Sequence, residues 1–181
     1  MAGHSKWKQI KNKKGITDKK RGQLFSKMLK AVSVAAKEEP NPDFNPRLRS
    51  LIEKAKENNV PAENIERAIK KAAEEKNLEE LVIEAYGPEK VALIIEAITD
   101  NRNRTIAEVR HILDENGAKM ATPGSVLWSF TKTGGEWQPN FRQQVSDEGK
   151  EKILSLIEKL EENEDVQKVT TNIANSTNIP I

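Results

Sequence analysis

The side chains with the clearest chemical potential are the basic ones near the N-terminus. Residues 1–36 carry ten Lys or Arg and a single acid, for a net charge of +9. Clustered cations gain free energy on a nucleic-acid backbone because they release the counterions condensed on its phosphates. We predict a nucleic-acid contact made by the following residues: Lys6, Trp7, Lys8, Lys11, Lys13, Lys14, Lys19, Lys20, Arg21 and Lys27.

Trp7 lies among these lysines, and an indole can stack on an unpaired base or a sugar. The region is far richer in lysine than in arginine. Lysine acts as a point charge, whereas bidentate recognition of guanine favours arginine, so the contact should follow the phosphate backbone with little reading of base sequence. The alternative is a solvated helix face with a flexible tail, in which Trp7 covers the helical core.

A second candidate anion site lies in residues 99–105. Its two arginines, Arg102 and Arg104, stand between an apolar strand and the start of a predicted helix. A helix N-terminus presents free backbone N–H groups and the positive end of the helix dipole, which together attract phosphate. In the alternative interpretation, Asp100 and the neighbouring asparagines cap the helix, and the arginines pair with acidic side chains of the same half.

Catalysis has no visible residues on which to rest. The chain has no cysteine, and neither of its two histidines, His4 and His111, stands at metal-ligand spacing from other ligands. The glycine motifs that cradle nucleotides and the motifs of catalytic nucleophiles are also absent from the sequence. We therefore expect a protein that is not an enzyme and has no catalytic, cofactor-binding or metal-binding residues.

Nothing in the sequence predicts a membrane partner. The longest clean apolar run, residues 91–95, is much shorter than a membrane-spanning helix. The basic N-terminus has no apolar segment behind it, so no secretion signal is predicted. We expect a cytoplasmic protein.

Three short amphipathic helices are predicted to form a bundle over residues 17–75. The first starts at Thr17 or Asp18 and ends before Pro40, the second starts at Asn45, and the third follows Pro61. The polar stretch that follows marks a boundary. We predict a basic arm and helical nucleic-acid-binding domain over residues 1–76 and an acidic domain over residues 77–181.

The apolar pattern then changes from helical to extended. Strands are predicted at 81–86, 91–99, 125–131, 136–145 and 166–173, with one helix after Asn101 or Asn103 and another after Ser146. Without the first strand, the order is β-α-β-β-α-β. The predicted fold class is therefore α+β: an N-terminal three-helix bundle followed by a ferredoxin-like (β-α-β-β-α-β) domain with an extra leading strand.

Trp128 alternates with Val126 and Phe130 in one of these predicted strands. Alternation places the three side chains on the same face of a strand. RNA-recognition domains stack bases on sheet aromatics, but their strand signature is absent here. We therefore expect Trp128 to pack in the core.

Several segments resemble the YebC/PmpR family. The resemblance is carried by MAGHSKWKQIKNKK, DKKRGQLFSK, NPRLRSLIEKAKENNVPAENIERAIKKA, TDNRNRTIAEVRHIL and GSVLW. Members are described as probable transcriptional regulators in bacteria, and a mitochondrial relative as a translational activator. The resemblance implies a helical N-terminal domain followed by α+β domains, and a cytoplasmic regulator that works on nucleic acid.

The chain departs from the family pattern at one point. Family members usually carry a further α+β domain, inserted after the strand that follows GSV. Here that strand runs through Gly134 and Gly135 directly into Trp137, in a segment that resembles the one where the second domain resumes. The run ILSLIEKLEENEDVQKVTTNI resembles the family's C-terminal helix and strand. The chain is interpreted as a shortened member that lacks the inserted third domain.

These observations favour a regulator of gene expression that binds DNA and controls transcription. The acidic half, residues 78–181 with a net charge of −7, is available to a protein partner. The alternative is a translation factor that binds ribosomal or messenger RNA, because lysine does not distinguish the two sugars. A third possibility is a scaffold that binds protein through its sheet and uses its lysines only for solubility.

Overall fold

The structure is a computed structural model that describes residues 18–72, 74 and 77–174. Within these residues the chain forms five α-helices and six β-strands, together with two short 3-10 turns. The elements, in chain order, are α1 (Asp18–Glu38), α2 (Pro46–Glu57), α3 (Ala62–Lys71), β1 (Glu79–Tyr86), β2 (Ala92–Thr99), α4 (Arg102–Glu115), β3 (Lys119–Met120), β4 (Phe130–Thr133), β5 (Glu136–Pro139), α5 (Asp147–Glu161) and β6 (Val166–Thr171).

The first three helices pack around a small core of their own, as the apolar stripes predict. Asn45 ties two of them together: its side-chain oxygen accepts a hydrogen bond from the Leu48 N–H (2.9 Å) and so caps α2. Its amide nitrogen donates to the carbonyls of Ala35 (2.9 Å) and Glu39 (2.8 Å), which would otherwise be unpaired at the end of α1. The buried core side chains are Val32, Ala35, Ala36, Leu48, Ala55, Val60, Ile65 and Ala72.

A four-stranded antiparallel sheet with the order β3-β1-β2-β6 forms the centre of the second half. Strand β2 lies inside the sheet, and its side chains are buried on both faces, as its nearly continuous apolar sequence predicts. Helices α4 and α5 cover one face. The larger apolar core between them and the sheet includes Leu81, Ile83, Leu93, Ile95, Val109, Leu113, Ile153, Leu156, Leu160 and Val166.

The predicted α+β class is confirmed, whereas the strand order differs from the ferredoxin-like expectation. Strand β1 is not an accessory, because it pairs with β2 along its whole length, from Glu79 opposite Thr99 to Tyr86 opposite Ala92. The strands expected near 125–131 and 136–145 form a separate hairpin, β4–β5, and the two-residue β3 takes the edge of the main sheet instead. Alternation shows that a segment is half-buried, but it does not show which strand is its partner.

The β4–β5 hairpin is closed by Gly134 and Gly135, whose φ angles are 59° and 84°. Two positive φ values suit the two-residue turns that connect antiparallel strands, and glycine adopts them without a steric penalty. The hairpin and the segment before it cover the second face of the sheet, where Val126 and Phe130 pack on Ile94.

The expectation that Trp128 packs in the core is wrong. Val126 and Phe130 are buried, but 67% of the surface of Trp128 is exposed. The residues between them form a 3-10 turn, Leu127–Ser129, in which the Ser129 N–H donates to the Val126 carbonyl (2.9 Å). In a turn, side chains no longer alternate between two faces, so Trp128 points away from its sequence neighbours.

Candidate nucleic-acid interface

The predicted basic interface is only partly within the described residues. Six of its members fall outside them: Lys6, Trp7, Lys8, Lys11, Lys13 and Lys14. Lys19 belongs to the first turn of α1, and its side chain is also outside the described part of the chain. The structure therefore locates Lys20, Arg21 and Lys27 in the basic region, and Arg102 and Arg104 in the second half.

Lys20 and Arg21 are exposed in the first turn of α1. Neither forms an ion pair with any residue that the structure describes. The N-terminal end of a helix carries a partial positive charge, so cations there slightly destabilise the helix while they strengthen its attraction for anions. Contact of either side chain with phosphate stays a prediction.

Lys27 and Lys30, further along α1, point at the acidic half. The Lys27 ammonium donates to the carbonyl of Glu161 at the end of α5. Burial lowers the pKa of Lys27, although the Glu161 carboxylate nearby acts in the opposite direction. Lys30 forms an ion pair with Asp165, with 2.7 Å between Nζ and Oδ1. These two cations hold the two halves of the molecule together.

Asp165 is the centre of this contact, and it is only 3% exposed. Its carboxylate accepts hydrogen bonds from Lys30 Nζ (2.7 Å), Thr105 Oγ1 (2.6 Å) and Arg104 Nη2 (2.8 Å). Burial by itself would raise the pKa of Asp165, but the hydrogen bonds from Lys30, Thr105 and Arg104 outweigh it and lower this pKa to about 2. Sequence reasoning missed Asp165, since it stands in an acidic stretch, 162–165, where nothing singles it out.

The two arginines of the second candidate site also have partners within the protein. Asn101 caps α4 by accepting a hydrogen bond from the Arg104 N–H (3.1 Å), and the Arg104 guanidinium contacts Asp100 (2.9 Å) as well as Asp165. Arg102 lies 3.4 Å from Glu79. The alternative interpretation of residues 99–105 predicts these contacts, namely a capped helix and arginines paired with acidic side chains. Phosphate binding by either arginine stays a prediction.

The described residues contain no group of three or more His, Cys, Asp or Glu side chains placed to hold a metal ion. Within the same residues, none of the helices combines the length and the apolar character that crossing a bilayer requires.

Two family models match the chain. The model described as the TACO1/YebC protein N-terminal domain matches residues 5–75. The model described as the TACO1/YebC second and third domain matches in two pieces, 78–135 and 134–173. The pieces meet in the turn between β4 and β5, which is the place where the sequence predicts that an inserted domain is missing.

Curated relatives are similar over most of the chain. A protein of Finegoldia magna is 50% identical over 138 residues, which are 74% of this chain and 57% of the relative. A protein of Thermoanaerobacter pseudethanolicus is 52% identical over 138 residues, which are 74% of this chain and 56% of the relative. Both are named probable transcriptional regulatory proteins. The match thus spans little more than half the length of these relatives.

A solved structure shares the fold. The crystal structure of a conserved hypothetical protein from Aquifex aeolicus superposes with a TM-score of 0.79 at 32% sequence identity, over 88% of this chain and 92% of that chain. The likeness covers both the helical bundle and the sheet. Together with the family models, it shows that the chain belongs to the TACO1/YebC family.

Proposed function

We propose that this chain is a non-enzymatic regulator of gene expression that binds the phosphate backbone of DNA through its basic N-terminal region. The observation that carries the proposal is the separation of charge. Residues 1–36 have a net charge of +9 and residues 78–181 a net charge of −7. The net charge of the first region attracts a polyanion, whereas the net charge of the second does not, so the basic region is expected to provide the main contact.

The exposed first turn of α1 supports this proposal, because Lys20 and Arg21 have no ion-pair partner among the described residues. The names of the curated relatives point in the same direction, since these proteins are called probable transcriptional regulatory proteins. A regulator of this kind works in the cytoplasm, where its nucleic acid is. The acidic half, with its net charge of −7, is the part of the chain suited to a protein partner.

The second candidate function is that of a translation factor that binds ribosomal or messenger RNA. The composition of the basic region favours it: nine of the ten cations in residues 1–36 are lysines. Lysine contributes charge without reading the bases. This suits structured RNA, which proteins recognise mainly by its shape and its phosphate backbone.

The salt dependence of binding tests both proposals. In the test variant, Lys11, Lys13, Lys14, Lys19 and Lys20 are replaced with Gln. Affinities for duplex DNA, duplex RNA and single strands are measured over a series of salt concentrations. The test variant should bind all sequences more weakly. The slope of log affinity against log salt concentration on duplex DNA, called the salt slope below, should become shallower by about 0.9 for each lost phosphate contact.

A matched control removes the same charge elsewhere. It replaces five exposed cations of the acidic half with Gln: Lys90, Arg110, Lys150, Lys152 and Lys159. The control should keep the wild-type slope. Equal slopes for the test variant and the wild-type protein would contradict a phosphate contact at the N-terminus, and tighter binding to RNA than to DNA would favour the translation factor.

A further inference from the structure

The acidic half carries an exposed aromatic pair. Trp128 is 67% exposed and Phe141 is 45% exposed, and their ring centroids lie 5.7 Å apart with the planes tilted by 32°. Tyr86, which is 37% exposed, is linked to Trp128 through Ser125, because both side chains donate a hydrogen bond to the Ser125 carbonyl, at 3.0 Å and 2.8 Å. We call Trp128, Phe141 and Tyr86 the aromatic patch.

The indole of Trp128 is held in its exposed position. Its N–H is already paired with Ser125, so the ring has no unsatisfied polar group that would turn it inward. Its backbone carbonyl accepts from the Asn140 side chain (3.0 Å), which in turn accepts from the Thr131 hydroxyl (2.6 Å). An exposed ring that is fixed in advance loses little conformational entropy when a ligand covers it.

The loop beneath the patch is fixed by a buried carboxylate. Glu84 on β1 is only 5% exposed, and it accepts hydrogen bonds from the backbone N–H groups of Gly124 (2.5 Å), Val126 (2.6 Å) and Leu127 (2.8 Å). These donors use both oxygens of the carboxylate. Glu84 therefore stabilises the loop and presents no free negative charge at the surface.

The patch also stands out by its charge. Residues 116–146 contain three bases and one acid, whereas the rest of 78–181 contains eight bases and seventeen acids. The one acid, Glu136, is paired with Lys168 at 3.2 Å. Lys119 lies opposite Tyr86 in the pairing of β3 with β1, so the two share a face. An otherwise acidic domain thus has an area that does not repel phosphate.

We propose that Trp128 and Phe141 form a stacking site for the unpaired bases of a single-stranded nucleic acid. This inference rests on the proposed function, and it adds a second contact in the acidic half. Surfaces that bind single strands combine aromatic rings, on which bases stack, with cations that meet the backbone. Every base has a flat π-face, so such a site tolerates any sequence. A purely apolar protein partner would make no use of Lys119.

The experiment measures fluorescence anisotropy with labelled single strands of about 12 nucleotides, a length that suits one domain-sized site. RNA and DNA strands are each compared with an abasic strand of the same length. The variants are Trp128→Ala, Trp128→Leu, Trp128→Phe and Phe141→Ala. The matched control is Phe44→Ala, which removes a lone ring, 77% exposed, from the helical half.

Trp128→Ala should weaken binding to the base-bearing strand about tenfold and leave binding to the abasic strand unchanged. Trp128→Phe should retain most of the affinity, because it keeps a flat ring. Trp128→Leu should lose as much as Trp128→Ala, because it keeps apolar area without a face for stacking. Phe141→Ala should show a smaller loss of the same kind, and Phe44→Ala none.

Equal losses on base-bearing and abasic strands, or full affinity in Trp128→Leu, would overturn the stacking site. A dimer in sedimentation that dissociates in Trp128→Ala would also overturn it and assign the patch to a second copy of the chain. If the lysine variant binds both strands more weakly but Trp128→Ala does not differ from wild type, the proposed function stands and this inference falls. If the wild-type protein binds no strand at all, both fall.

Discussion

The first turn and the middle of α1 use the same kind of residue for opposite purposes. At the start of the helix, Lys20 and Arg21 are exposed and have no ion-pair partner among the described residues. Further along, Lys27 and Lys30 contact Glu161 and Asp165 in the acidic half. The basic region of the sequence is therefore not one uniform surface. Part of it is proposed to bind nucleic acid, whereas Lys27 and Lys30 join the two halves of the molecule.

This comparison changes how the charge of the basic region should be counted. A phosphate contact requires a cation that is free to exchange its counterions, and a lysine that already neutralises a buried carboxylate does not meet this requirement. Lys27 was predicted to contact nucleic acid, and that prediction is not tested by the structure. Its contact with Glu161 makes it a weaker candidate than Lys20.

The largest expected effect comes from Asp165→Asn, which removes the charge that Lys30 and Arg104 share. Breaking a buried ion pair leaves its partners uncompensated, so we expect the free energy of unfolding to fall by about 3 kcal/mol. Urea denaturation measures it. The control is Asp100→Asn, since Asp100 also pairs with Arg104 but is exposed and should cost at most about 0.5 kcal/mol. Equal losses in the two variants would show that Asp165 does not join the halves.

Protonation of Asp165 in acid should lower the free energy of unfolding by slightly less than Asp165→Asn does. The pKa of Asp165 is lowered from 3.8 to about 2, so its contribution is complete above pH 4 and is lost as the pH falls from about 4 to about 2. The loss from this group should be about 2 kcal/mol. The stability difference between wild type and Asp165→Asn should therefore shrink over that range. A difference that is constant with pH would contradict the lowered pKa.

Lys30→Met should have an intermediate effect. It removes one charge-assisted hydrogen bond from Asp165 and leaves those from Thr105 and Arg104, so we expect a loss of about 1.5 kcal/mol in urea denaturation. Affinity for duplex DNA should change little. If Lys30→Met instead reduces the salt slope and leaves the stability intact, Lys30 belongs to the ligand surface and the division of α1 is wrong.

The smallest effect on stability is expected at the start of the helix. Lys20→Gln and Arg21→Gln should each change the free energy of unfolding by no more than about 0.5 kcal/mol, because neither side chain has a described partner to lose. Each should lower the salt slope on duplex DNA by about 0.9 if it contacts one phosphate. The first turn and the middle of α1 would then show opposite profiles, with binding affected in the first turn and stability affected in the middle. A loss of stability without a change in slope would contradict this assignment.

Much of the local structure could be predicted from the sequence, because helix ends depend on residues that are close in the chain. Asn45, Asn101 and Ser146 were predicted as capping candidates, and each accepts a hydrogen bond from the backbone N–H three residues later. Gly117 ends α4 with a φ of 68°. The polar stretch near residue 76 stays a predicted domain boundary, and the arm before residue 18 stays a predicted binding segment.

The predictions that differ from the structure concern which strands pair with each other and which side chains pack in the core. The strand pattern did not show that β1 pairs with β2 or that β4 and β5 form their own hairpin. Alternation did not show that the residues around Trp128 form a turn, which exposes the ring. Each of these outcomes depends on which surfaces meet, and a period of two or of 3.6 residues describes only one surface at a time.

The sequence by itself determined the segregation of charge, the helix ends and the membership of the family, since each of these is a property of single residues or of short runs. Only the tertiary structure decided which cations are already used. Lys30 and Asp165 are 135 positions apart in the chain, and their pairing exists because α1 packs against the end of β2 and the loop before β6. Charge belongs to a residue, whereas its neutralisation depends on what folding brings within hydrogen-bond distance.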